Sequence, residues 1–101
     1  MPEISIGHDS TGRPEFVCAP LDGDDLTRFD KAHLFIDTAM SYICSYRRAR
    51  LNKLYVAEEY RNKAEKTLCK ILPEETAKKL INAVLEDKKD TKVTFHLPGN
   101  T

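Results

Sequence analysis

The stretch SYICSYRRARLNKLYVAEEY, residues 41–60, decides how this chain folds. Ahead of it, Phe29, Ala32, Ile36, Ala39, Met40 and Ile43 recur at helical spacing and define one apolar face, which Phe35 widens. His33 and Cys44 lie on its opposite margin. Carried forward at about 100° per residue, that projection puts Arg47 in the middle of the apolar face and Arg50 at its edge. Beyond the arginines a second pattern begins, with Leu54, Ala57, Tyr60, Ala64, Leu68, Ile71 and Leu72 on one side and Arg61 at its margin. No proline or glycine falls between Asp24 and Leu72, so nothing local forces a break. One straight helix over that span would be about 70 Å long, against a gyration radius of about 13 Å for a compact chain of this size. Two readings follow. Either the chain turns within residues 48–53, with Asn52 as the stop, or the helix runs on and a second copy covers its outer part. Typical helix lengths favour the turn.

On the N-terminal side, EISIGHDSTGRPEFVCAP reads as a β-hairpin. Ile4 and Ile6 alternate with polar neighbours, Phe16, Val17 and Cys18 follow, and the intervening GHDSTGRP is dense in turn formers. Asp24 or Asp25 is positioned to cap the first helix, and the aspartates around it suit the positive end of the helix dipole. On the C-terminal side, LPEETAKKLINAVLEDKK is a helix. Pro73 fits its first turn, Glu74 and Glu75 its start, and Lys88 and Lys89 its end; Ala77, Leu80, Ile81, Val84 and Leu85 form the buried stripe. Val93, Phe95 and Leu97 then alternate with Thr94 and His96, a half-buried strand stopped by Pro98 and Gly99. A lone hairpin is marginal, so the last strand is expected to join it. The expected fold class is α+β: a three-stranded, mostly antiparallel sheet with two or three helices on one face, order ββαααβ, in a single domain spanning residues 1–101.

The chain has 101 residues, 41% of them hydrophobic and 32% charged, enough for one modest core beneath a well-solvated surface. Sixteen basic and sixteen acidic residues cancel, which argues against a dedicated nucleic-acid or membrane binder. The signs are segregated, however. Residues 1–30 carry seven acids against two bases, and residues 31–66 carry eight bases against four acids. The plain expectation is that the acidic leading segment folds near the basic helix and pairs with its arginines. Cys18, Cys44 and Cys69 lack CxxC spacing, so neither a zinc knuckle nor a disulfide framework is expected. They read as small core hydrophobes in a reducing cytoplasm, Cys44 and Cys69 beside apolar faces and Cys18 the more exposed. The N-terminus has no secretory pattern and no apolar run has the length of a membrane span.

The strongest polar feature is YRRARLNK. Arginine and tyrosine together suit a protein interface, where both are enriched among hot spots. They also suit phosphate contact and base stacking. The expected contact residues are Tyr46, Arg47, Arg48, Arg50, Lys53 and Tyr55, and the leading functional expectation is a non-enzymatic cytoplasmic interaction module, an adaptor or inhibitor of a larger protein. A nucleic-acid-binding or DNA-metabolism accessory using the same helix is the first alternative, and self-association into a homo-oligomer is compatible with either. A small enzyme working from His8, Cys18 and His96, which neighbouring terminal strands would approximate, is the second. No catalytic or nucleotide motif supports it, and no cofactor or metal is expected.

Overall fold

A computed structural model describes residues 1–98. Two strands, β1 (Glu3–His8) and β2 (Pro14–Ala19), precede three helices, α1 (Leu26–Leu51), α2 (Ala57–Leu68) and α3 (Glu74–Leu85), and a short strand β3 (Lys92–Thr94) closes the order. The sheet runs β2-β1-β3 and is antiparallel throughout, so the fold is the expected α+β arrangement. In its register Ile4 lies opposite Cys18 on one side and Val93 on the other, while Ile6 lies opposite Phe16. That period-2 alternation presents Ile4, Ile6 and Phe16 to the helices, where they join Ile36, Leu68, Leu80 and Val84 in the main core. On the other face Gly7 stands beside Val17 so closely that a Cβ at Gly7 would strike the valine methyl, which accounts for glycine inside the strand.

Of the two candidate caps, Asp25 serves α1: its carboxylate accepts from the backbone N–H groups of Thr27 at 2.9 Å and Arg28 at 3.2 Å. Asp24 instead accepts from Leu21 N–H and pairs with the terminal amine, and the Leu21 bond holds its carboxyl below the usual carboxylate range. At the other end the chain turns where the sequence stop was expected. Asn52 is the C-cap, Lys53 takes a left-handed φ of 56°, Lys53 N–H bonds Arg50 O at 3.0 Å, and Leu54 N–H reaches back to Ala49 O at 2.8 Å. This is the Schellman arrangement, with lysine in the position glycine usually holds. α2 then folds back along α1 as a helical hairpin. Leu54, placed by spacing on the second helical face, falls in the connection, and it is 52% exposed.

The apolar face of α1 does not stop at Arg47. It continues through Tyr46 and Ala49, 2% and 4% exposed, which form a second small cluster with Ala57. Buried positions 29, 32, 36, 39, 43 and 46 advance by threes and fours, a 3.5-residue period. That stripe drifts about 20° per heptad against a 3.6-residue projection. By the last two turns of α1 the buried direction has moved off Arg47 and onto Tyr46, which corrects the straight projection.

Other expectations need revision. α3 ends at Leu85, before Lys88 and Lys89, with Asp87 at φ 53° and Lys88 N–H bonded to Ala83 O in the same helix-ending motif. Pro73 is the residue before α3 rather than inside its first turn. β3 stops at Thr94; Phe95 is buried, its N–H bonded to Pro2 O, and exposed His96 lies beyond the strand rather than on it. Gly99, expected to help stop that strand, lies outside the described residues. The cysteine expectation is reversed. Cys44 and Cys69 are exposed, Cys44 beside Arg48 and Leu51 on an open depression and Cys69 at the C-cap of α2. Cys18 is the half-buried one, and burial, reinforced by Asp37 and Asp24, pushes its thiol pKa up to about 11.

Candidate binding surface at the helical corner

The six sequence-selected residues all lie at the C-terminal end of α1 and the corner that follows, but they divide between two sides of the helix. Arg47 is committed inward. Its Nη2 donates to Pro14 O at 2.9 Å and Val84 O at 3.2 Å, so one guanidinium ties the start of β2 to the last turn of α3. A cation at that helix end meets carbonyls without intrahelical partners and the negative pole of the dipole. The partners of Arg47 are thus backbone carbonyls, where the sequence led us to expect acids of the leading segment. Arg28 does the same elsewhere, donating to Pro98 O at 2.7 Å and Leu97 O at 3.0 Å.

Tyr46 forms the floor of an open depression of about 580 Å³ on the α2 side of α1. Its hydroxyl accepts from Arg50 Nη1 at 2.8 Å, and the guanidinium carbons of Arg50 and Arg61 lie 5.9 and 6.0 Å from its ring centroid. Both distances are within the range where a cation is drawn to an aromatic quadrupole. Arg61 is anchored further by a bond to Asn82 Oδ1. Lys53, Leu54 and Tyr55 form the rim, with Tyr55 92% exposed, and Glu58 supplies the one carboxylate among the lining residues. The depression therefore has a rigid aromatic floor, two positioned arginines and an uncovered aromatic edge. Arg48 points the other way. Arg48 and Leu51 line a second depression, of about 480 Å³, with Arg13, Cys44 and Arg47.

Arg61 and Leu54 were visible in the sequence only as the margin and face of a helix. The Arg61 contribution comes from α2 folding back over Tyr46, and no local signal announces that. The histidine–cysteine grouping is not assembled. His8 ends β1 and bonds Asp87 at 2.8 Å, whereas Glu3 at the opposite end of β1 pairs with Thr94, which carries His96 to the far edge of the sheet. Cys18 faces the core opposite Ile4. Among the described residues no group of three or more His, Cys, Asp or Glu side chains is placed to hold a metal ion, and no helix is long and apolar enough to cross a membrane.

Fold and corner together define a small α+β protein whose most organised polar feature is a cationic, aromatic depression between two antiparallel helices. Comparison with protein-family models, with curated proteins and with solved structures finds no match.

Proposed function

We propose that the protein is a non-enzymatic interaction module of the cytoplasm, an adaptor or inhibitor that engages a larger protein through the corner between α1 and α2. The observation that carries this reading is Tyr55, almost wholly in solvent together with exposed Leu54, beside Arg50, Lys53 and Arg61. Uncovered tyrosine next to anchored arginines is the composition of an interface hot spot, and Leu54 adds apolar area beside it. The anchoring also lowers the cost of binding, since Arg50 and Arg61 already rest on Tyr46 and lose little freedom when a partner arrives. The partner side would offer carboxylates around an apolar socket.

The test is affinity capture with wild-type, Tyr55→Ala and Arg50→Glu/Lys53→Glu baits, followed by titration of the purified captured protein and a melting curve for each bait. The expected result is a loss of binding of about tenfold or more for each variant, a hot-spot-sized effect, with folding retained. Equal capture by all three baits would refute the corner as the contact surface. Binding that is instead to nucleic acid and falls steeply with salt would replace this reading with the nucleic-acid alternative.

A further inference from the structure

A different face of α1 carries its own pattern. Thr27, Asp30, Leu34, Asp37, Ser41, Cys44, Arg48 and Leu51 are spaced by alternating threes and fours, and all are exposed. This is an unbroken 3.5-residue stripe of exposed positions running the length of a 26-residue helix, with Arg13 and Pro14 of the hairpin flanking its C-terminal part. A purely solvated stripe has no need of apolar side chains. Here Leu34 is 66% exposed and Leu51 83%, and Leu26, beside Thr27, is 64% exposed. The charges are ordered as well, Asp30 and Asp37 in the N-terminal half and Arg48 in the C-terminal half. Neither Asp30 nor Arg48 makes a side-chain ion pair among the described residues, whereas Asp37 has His33 at 3.5 Å.

We infer that this stripe is the seat of a second copy of the same chain, packed with its α1 antiparallel about a two-fold axis at the middle of the helix. The spacing reads the same in both directions, so an inverted copy brings every position of the stripe opposite another. Thr27 meets Leu51 of the second copy, Asp30 meets Arg48, Leu34 meets Cys44, and Asp37 meets Ser41. Each pairing occurs twice, as a two-fold interface requires. Acid faces base at Asp30–Arg48, carboxylate faces hydroxyl at Asp37–Ser41, and the three exposed leucines and the exposed thiol are covered. A parallel copy would instead stack Asp30 on Asp30 and Arg48 on Arg48, with like charges in contact. Arg48 and Arg50 are two positions apart, about 200° around the helix, so the proposed dimer leaves the depression over Tyr46 open and stands or falls separately from the partner reading above.

Light scattering over a range of concentrations tests the pairing. Wild type should approach twice the chain mass, Asp30→Arg and Arg48→Asp should each revert to the chain mass, and Asp30→Arg combined with Arg48→Asp should restore the dimer. A wild-type chain that stays monomeric up to millimolar concentration overturns the inference, as does a double variant that stays monomeric while folded by circular dichroism. Geometry is tested in a Cys18→Ser/Cys69→Ser background under mild oxidation. Adding Leu34→Cys should yield a covalent dimer through Cys44 of the second copy. The background alone should not, because the two Cys44 residues lie about 15 Å apart along the paired helices. Cross-linking of the background alone, or through Ser41→Cys in preference to Leu34→Cys, overturns the proposed register.

Discussion

Arg47 and Arg48 are neighbours in sequence and opposites in structure, and so, nine residues apart, are Tyr46 and Tyr55. Arg47 lies over the core edge and spans two elements through backbone carbonyls, while Arg48 stands in solvent. Tyr46 is 2% exposed and braces two guanidinium groups; Tyr55 is 92% exposed. The inner pair holds the helical corner in shape, and the outer pair is what the corner presents. A cluster of arginine and tyrosine is thus not one patch. Its members are sorted by the direction each takes from the helix axis.

That sorting predicts unequal costs. Tyr46→Ala should be the most damaging change, removing the floor of the depression and the packing with Ala49 and Ala57, at about 3–5 kcal/mol. Tyr55→Ala should stay within about 0.5 kcal/mol of wild type in the same urea titration. Arg47→Ala should cost about 2–3 kcal/mol, since carbonyls at the start of β2 and the end of α3 lose a charged donor. Arg48→Ala should be near neutral for the folded monomer. Equal costs within either pair would erase the distinction between the two sides.

Smaller effects refine it. Lys53 holds a left-handed φ of 56°, so Lys53→Gly should raise stability by about 1 kcal/mol, read as a shift in the urea midpoint. The cysteines supply a kinetic counterpart. With its pKa at about 11, Cys18 is thiolate to about one part in a thousand at pH 8. Exposed Cys44 should therefore be modified by a small alkylating reagent well before Cys18, as peptide mass mapping would show. The smallest expected effect concerns acid. Asp9 is held below its usual pKa by its bond from the Thr11 hydroxyl and by Arg13 N–H, and Asp24 by Leu21 N–H. A carboxyl with a lowered folded-state pKa stabilises the fold above its unfolded pKa and ceases to as pH falls through the folded one. Asp9→Asn should accordingly flatten the decline in melting temperature below about pH 4.

Much of the fold was legible because its determinants are local. The hairpin announces itself through alternation around GHDSTGRP, and the α1 start through Asp25, whose cap bonds reach only two and three residues ahead. Even the corner was readable at Asn52, though no glycine marks it. The extent of the last strand was not, because the next rung sets Phe95 opposite Pro2, at the other end of the chain, which accepts from Phe95 N–H but as proline has no N–H to return. The exposure of Cys44 and Cys69 was misjudged as well: Cys44 borders an apolar face without being covered, and Cys69 falls at the cap of α2, past its last turn.

The same division holds for the candidate site. Sequence alone determined that arginine and tyrosine gather on a long helical stretch and that strands and helices follow in the order ββαααβ, and it favoured a turn at the cluster over one continuous helix. Only the tertiary structure decided which members of that cluster are internal. Arg47 turns inward because Pro14 O and Val84 O, 33 and 37 residues away in sequence, converge on it. Arg61 reaches the Tyr46 ring because α2 folds back along α1. A side chain's azimuth on a helix is written locally, but whether that azimuth meets water, a ring or a carbonyl depends on what the rest of the chain brings alongside.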